Sequence, residues 1–375
     1  MSPVNASTGK TGPVGVGFIG VGNISDAYLT NLTKFPDVKV LFLSDIDTER
    51  AKAQAEKWGV PESGTVDELL AHPDVEIVVN LTIPAAHAEV DLRIVAVGKH
   101  VWSEKPYAVT RESAAAVKAA AEAAGVLVCV APDTILGGGI QTGFRAIREG
   151  KIGKPLSAIT MFQVGGPESW HPSPEFLFAF GGGPLMDMGP YYISTLVSIF
   201  GPASRVIGVG GKARDTRIIA TGPKAGTEFP VEEPTHVGAL IEFANGGSAQ
   251  CTFSFESSQF RVGFVEINGT DGTLVMTDPN LFDGDSTLHT GYEKSETITL
   301  AGNTYGRGTG VLEMAQAIRE GRPVRIPGDI AYHVLDVMLS LRESIAAGNE
   351  WVKISSTLPE INPLPLEWDP MTATL

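Results

Sequence analysis

The chain has 375 residues and a formal charge of −15, with 43% hydrophobic and 19% charged residues, the balance of a globular protein. That length exceeds one ordinary core and predicts two domains, while the acidic balance excludes a nucleic-acid partner, whose phosphates need a basic face. Only two cysteines are present, Cys129 and Cys251; they read as small buried residues of a cytoplasmic protein, and no run approaches the ~18 apolar residues of a membrane span, so no membrane partner is expected.

Residues 1–13 are rich in Ser, Thr, Gly and Pro and read as a flexible tail with no signal-peptide core. The first predicted strand, 14–19, runs directly into Gly20-Val21-Gly22-Asn23-Ile24-Ser25 and then into a predicted helix. Gly20 permits a tight turn, Gly22 leaves room for a diphosphate against the main chain, and Asn23 and Ile24 open a helix whose free N–H groups face an anion. Such a loop alone is weak, since turn glycines are common. Its context strengthens it, because Asp45 ends the second predicted strand, 38–44, where a carboxylate meets the hydroxyls of an adenosine ribose. Further strands at 76–81, 100–103 and 126–130 alternate with helices, so residues 14–131 read as a doubly wound, mostly parallel sheet. Thr65 with Glu68 forms a capping box, and Gly98 and Gly125 sit where helices stop.

Beyond residue 131 the pattern changes. A helix over 139–149 and a strand near 156–164 precede a Gly/Pro-rich loop, 166–184, centred on Trp170-His171-Pro172, and then a helix over 185–200. Val237, Ala239, Ile241 and Phe243 recur with period two on one face, Asn245-Gly246 makes a hairpin turn, and Cys251, Phe253 and Phe255 follow. Strands near 261–268 and 273–276 and helices near 310–320 and 330–347 complete residues 132–375, read as an α+β domain with a large open antiparallel sheet that serves substrate binding and oligomerisation.

Two clusters carry chemistry. Glu104-Lys105-Pro106 ends the 100–103 strand, on the edge of the sheet where ligands bind, and a lysine there can stabilise charge developing on a substrate oxygen. Asp187 and Tyr191 stand four residues apart at a helix start, on one face; they can exchange a proton with a hydroxyl, or equally cap and pack the helix. His87, three residues beyond Pro84, reads equally as a cofactor contact or as a packed helix-start histidine. Trp170 and His171, in the Gly/Pro-rich loop, read as substrate contacts from pocket composition, although a Trp-His-Pro turn can also be simply a packed loop. The seven histidines show no metal-ligand spacing, and no metal is expected.

Taken together, Gly20-x-Gly22, Asp45-Ile46-Asp47 with Glu49-Arg50-Ala51, Thr82-x-Pro84 with His87, Glu104-Lys105-Pro106 and Gly183-x-x-x-Asp187-x-Gly189-x-Tyr191 resemble the Gfo/Idh/MocA family of NAD(P)-dependent oxidoreductases, from about residue 14 to 354. The resemblance implies an N-terminal Rossmann domain, Lys105 as the catalytic lysine, Asp187 orienting substrate, Tyr191 exchanging the proton, and a cofactor site that includes Thr82, Pro84, His87, Glu104 and Lys105. It also implies that Lys105, Asp187 and Tyr191 meet the substrate and that the protein forms dimers or tetramers through the open sheet. Many members have His where this chain has Tyr191, which argues against a simple inositol dehydrogenase. Asp133 and Thr134 stand where many relatives have Asn-Arg, with no role assigned. Asp45 favours NAD, because it would repel a 2′-phosphate. The expected activity is hydride transfer between NAD and a secondary hydroxyl or ketone of a sugar, polyol or glycoside. Two alternatives use the same residues: an NAD-dependent glycosidase working by transient oxidation and elimination, and a catalytically silent NAD-binding sensor.

Overall fold

The computed structural model describes residues 10–359 and 361–375. They form two compact units, one of residues 10–137, 302–331 and 361–375, the other of residues 138–301 and 332–359.

In the first unit, strands and helices alternate as β1 (Val14–Ile19), α1 (Ser25–Leu32), β2 (Val38–Ser44), α2 (Thr48–Trp58), β3 (Glu62–Gly64), α3 (Val66–Ala71), β4 (Ile77–Asn80), α4 (His87–Ala96), β5 (His100–Ser103), α5 (Arg111–Ala124) and β6 (Val128–Val130). The strands make one parallel sheet in the order β3-β2-β1-β4-β5-β6, the doubly wound arrangement whose ligand crevice lies beyond the carboxyl ends of the strands. Every residue of β1, β4, β5 and β6 is buried, as expected of parallel strands covered by helices on both faces. Helix ends follow local chemistry. Thr65 and Glu68 close a reciprocal capping box on α3, and Gly125 ends α5 in the left-handed region.

The second unit contains α6 (Gly138–Arg148), β7 (Pro155–Gln163), α7 (Gly183–Phe200), β8 (Ala203–Gly211), β9 (Thr216–Ile218), β10 (Glu228–Pro230), β11 (His236–Phe243), β12 (Ser248–Ser254), β13 (Arg261–Gly269), β14 (Thr273–Met276), β15 (Ser286–Gly291) and β16 (Lys294–Ile298). After α8 (Thr309–Glu320), the chain enters α9 (Gly328–Ala346) and β17 (Val352–Lys353). Nine strands form a sheet ordered β16-β15-β14-β13-β7-β12-β11-β8-β17. The Asn245-Gly246 turn joins β11 to β12 as an antiparallel pair, Val237 opposite Phe253 and Ala239 opposite Cys251. The sheet differs from an all-antiparallel one in its centre, where β7 and β12 run parallel. Parallel neighbours need a crossover, and the segment between them contains α7, which packs on β7, β11 and β12. One face of the sheet is core: Val237, Ile241 and Phe253 are at most 1% exposed. The opposite face presents Ile159, Val209, Leu240 and Phe264 to solvent.

The domain reading took residues 132–375 as one block, whereas residues 302–331 and 361–375 cluster with the first unit. Helix α8 explains the return. Val311, Leu312, Met314, Ala315 and Ala317 are fully buried, and Arg319 forms a two-pronged ion pair with Glu76 at 2.6 and 3.0 Å. The Asp37 carboxylate accepts from Gln316 and from the main chain of Thr374, both at 2.9 Å. These bonds join residues about three hundred positions apart, which no local pattern reveals. No helix among the described residues is long and apolar enough to cross a membrane.

Candidate active site

The dinucleotide loop leaves β1 at Gly20, whose φ of +90° and 2.9 Å approach of a hypothetical Cβ to the Leu81 carbonyl oxygen both require glycine. At Gly22 an added Cβ would meet nothing within 4 Å, and Gly22 and Asn23 are exposed. Helix α1 starts behind them with no side-chain hydrogen bond at its N-cap, Ile24. Main chain open to solvent, small residues and an uncapped helix start are what a diphosphate requires. Ser25 is fully buried and donates to the Gly22 carbonyl at 2.7 Å, which shapes the turn. Asp26 in the first turn of α1 would repel an anion, but Lys57 binds it at 2.7 Å and Trp58 and Gln54 also donate to it; these bonds, Lys57 first, lower its pKa.

Asp45, at the end of β2, holds the loop. Its Oδ2 accepts from the Val21 amide at 2.9 Å, its Oδ1 accepts from the Asp47 amide at 3.0 Å, and Arg50 grips both oxygens. Burial alone would raise its pKa, but Arg50 and the two amides hold the carboxyl below the usual range, so it is an anion at neutral pH. In the sequence Arg50 stands only within a family match; its contact with Asp45, five residues away on the first turn of α2, is a feature sequence reasoning does not reveal.

Lys105 leaves β5 at the same carboxyl-end edge of the sheet. Its neighbour Glu104 is 7% exposed, accepting from Tyr28 Oη at 2.8 Å and from the Lys105 amide at 3.1 Å, while Trp102 Nε1 donates to the Tyr28 oxygen at 3.2 Å. This chain of hydrogen bonds fixes the main chain from which Lys105 projects. The Lys105-Pro106 peptide is cis. His87 is 1% exposed and lies between two main-chain carbonyls, Nδ1 at 2.8 Å from Pro106 and Nε2 at 3.0 Å from Thr82. Both ring nitrogens thus face main-chain carbonyls, and the one that carries the proton ties the Thr82-Pro84 turn or the lysine loop to this helix start. Burial depresses its pKa against the pull of the two carbonyls, and a neutral ring carries a proton toward only one of them. Thr82 is ordered by Asn80 Oδ1, which accepts from its amide at 3.1 Å and its hydroxyl at 2.7 Å. Asp133, left without a role by the sequence, is fully buried and accepts from the Gly308 and Gly310 amides at 2.9 and 3.1 Å, capping the start of α8; burial raises its pKa to about 6.

In the second unit, Asp187 and Tyr191 lie one turn apart on α7, the carboxylate half-buried and the phenol 4% exposed. Glycines let the main chain enter this helix tightly: Gly183 has φ +82°, and the Gly181 amide donates to Glu233 at 3.0 Å. In the preceding loop, burial lowers the His171 imidazole pKa, against smaller opposing effects of the Ser173 main chain and of the Glu175 and Asp187 charges. The His171 ring packs against Trp170 and Phe176, each 5.5 Å away between centroids, and its Nδ1 accepts from the Ser173 amide at 3.0 Å. That bond turns Nε2 into the free donor of the neutral ring. Trp170 is 67% exposed, a broad aromatic surface against the His171 ring.

Among known proteins, the chain is 29% identical over 266 residues to the 1,5-anhydro-D-fructose reductase of Ensifer adhaerens, a match covering 69% of this chain and 74% of that one. It is 27% identical over 295 residues to the levoglucosan dehydrogenase of Pseudarthrobacter phenanthrenivorans, covering 71% and 73%. A solved structure of levoglucosan dehydrogenase in complex with NADH and levoglucosan shares the fold, with a TM-score of 0.80 at 22% identity over 91% of this chain and 99% of that one. Residues 14–131 match the Gfo/Idh/MocA oxidoreductase family, NAD-binding Rossmann fold, and residues 140–275 match the Gfo/Idh/MocA C-terminal domain. With most of its length so matched, and with its dinucleotide loop and lysine on one sheet edge, the chain belongs to the Gfo/Idh/MocA family of NAD-binding oxidoreductases.

Proposed function

We propose that the protein is an NAD-dependent dehydrogenase, or a reductase in the reverse direction, acting on a secondary hydroxyl or ketone of a cyclic sugar, polyol or glycoside. The observation that carries this reading is the shared edge of the first unit's sheet. The Gly20 loop, Asp45 and Lys105 follow the carboxyl ends of β1, β2 and β5, so a cationic donor is held in the same crevice rim as the dinucleotide loop.

Bound NAD supplies the hydride acceptor for the carbinol carbon. Gly20, Gly22, Asn23, Ile24 and Asp45 hold the dinucleotide, while Thr82, Pro84 and Glu104 shape its nicotinamide end and His87 braces that end through the main chain. Lys105 donates to the substrate oxygen and stabilises the negative charge that develops on it. Tyr191 exchanges the hydroxyl proton, and Asp187 accepts from a neighbouring hydroxyl. Trp170 and His171 contact the sugar ring. The names of the related reductase and dehydrogenases favour net oxidation or reduction over redox-neutral glycoside cleavage and over a silent sensor.

A panel of levoglucosan, 1,5-anhydro-D-fructose, aldoses, inositols and nitrophenyl glycosides, assayed for both NADH absorbance and aglycone release, tests the proposal. A substrate-dependent change in NADH without aglycone release supports it. Aglycone release at constant NADH sinks it. We also propose a cytoplasmic homodimer or homotetramer, associating through the exposed row Ile159, Val209, Leu240 and Phe264 on the nine-stranded sheet. Light scattering that finds a monomer at micromolar concentration would overturn the assembly.

A further inference from the structure

Arg217 is 4% exposed, on the short strand β9 outside the nine-stranded sheet. Its Nη1 donates to the Gly165 carbonyl at 3.3 Å and pairs with Glu168. Its Nη2 donates to the Phe255 carbonyl at 3.2 Å and to Glu256 at 2.5 Å, and its guanidinium lies 5.2 Å from the centre of the Phe178 ring. Glu256 also accepts from the Thr235 hydroxyl at 2.5 Å. One planar cation thus gathers the start of the 165–182 loop, its Glu168, its Phe178 and the end of β12.

The loop is built directly upon this ion pair. Gly166 has φ +104°, and a Cβ there would lie 2.4 Å from Glu168 Oε2 and 2.7 Å from Arg217 Nη1. Glu168 sits in a turn, Pro167–Ser169, and the Pro167 carbonyl accepts from the amides of Trp170 at 3.1 Å and His171 at 2.8 Å. The Glu168 carbonyl in turn accepts from the Ala220 amide at 3.0 Å, just beyond β9. A displacement of Glu168 is therefore transmitted to Trp170 and His171 through two residues of hydrogen-bonded main chain. Burying a guanidinium between two half-buried carboxylates is a costly way to gain stability, since apolar packing of the same volume often does as well. What the fork adds is direction, because it fits carboxylates and carbonyls in one plane only.

We propose that Arg217 is a positioning residue that holds the Trp170-His171 loop in its sugar-binding form and so sets affinity for the sugar without joining hydride or proton transfer. The inference rests on the reading of Trp170 and His171 as substrate contacts.

The test is steady-state kinetics on the best sugar of the panel, with NADH titrations, for Arg217→Lys, Glu168→Gln and Trp170→Ala. Arg217→Lys keeps the charge and loses the fork; Glu168→Gln keeps the shape and loses the charge. Each should raise the sugar KM roughly tenfold, with kcat altered less than about threefold and NADH affinity unchanged. If Arg217→Lys does not fold, Glu168→Gln carries the test alone. A raised KM in Trp170→Ala with an unchanged KM in the folded Arg217 and Glu168 variants overturns the role of Arg217 while leaving the loop at the substrate. An unchanged KM in Trp170→Ala removes the loop from the substrate and overturns both. A fall in kcat at constant KM also overturns the proposal, because it would place Arg217 in the chemical step.

Discussion

Arg50 closes on the Asp45 carboxylate from the first turn of α2, its Nη2 2.5 Å from Oδ1 and its Nε 3.3 Å from Oδ2. The pair joins the carboxylate expected at an adenosine ribose to a half-exposed guanidinium able to face a phosphate. Replacing Asp45 by Ala removes this anchor and the acceptor of the Val21 amide. NADH affinity should fall at least about tenfold, since a hydrogen bond to a charged group contributes ~1.5–3 kcal/mol. The preference for NADH over NADPH should narrow, because the released guanidinium can meet a 2′-phosphate. Fluorescence titration with both nucleotides measures each effect, and an undiminished NADH preference would show that discrimination resides elsewhere.

Lys105→Met should lower kcat by at least about a thousandfold while NADH binds within a few-fold of the wild type, the mark of a group that acts on developing charge. Equal losses in cofactor affinity and turnover would make the lysine a cofactor ligand instead.

Tyr191→Phe keeps the ring packing of a side chain that is 4% exposed and removes only its hydroxyl. Turnover should fall by roughly 10²–10⁴-fold, the usual yield of a positioned proton donor or acceptor. The melting temperature should change little. Retained turnover would leave the phenol a packing residue and the proton transfer to another group.

Asp91, on α4, is fully buried, and its Oδ1 accepts from Asn80 Nδ2 at 2.7 Å. Burial raises its pKa to about 7 from 3.8. Between those values the folded chain keeps a proton that the unfolded chain has released. This group's contribution to stability is therefore whole below about pH 4 and is lost as pH rises through about 7, at up to ~1.4 kcal/mol per pH unit. Asp91→Asn replaces the buried acid with a neutral isostere, so the variant should gain on the wild type in melting temperature between pH 5 and pH 8. A difference that is constant over that range would mean that Asp91 is ionised throughout.

Much of the first unit was legible because its signals are local. Strand boundaries at 14–19, 38–44 and 100–103, the Thr65-Glu68 capping box and the Gly20-x-Gly22 turn each depend on a few adjacent residues, and the structure places them there. The Asn245-Gly246 hairpin was readable for the same reason. The parallel pairing of β7 with β12 was not, because it follows from a crossover and not from the pattern of either strand. His87 shows a subtler limit. Its spacing from Pro84 marked it out, but only the positions of two carbonyl oxygens reveal that its nitrogens face inward. Arg217 carried no signal at all, since Glu168 and Glu256 lie 49 and 39 residues from it in sequence.

The second unit is spliced into the first, and the nucleotide-binding core is completed by α8 and by the strap from residue 361 onward that reaches Asp37. A ribosome that has released only residues up to 137 has therefore delivered a sheet without one of its covering helices. That fragment, expressed alone, exposes the apolar patch α8 would occupy and should depend on chaperones; hydrogen exchange during translation would show β1 and β4 becoming protected only after α8 has emerged.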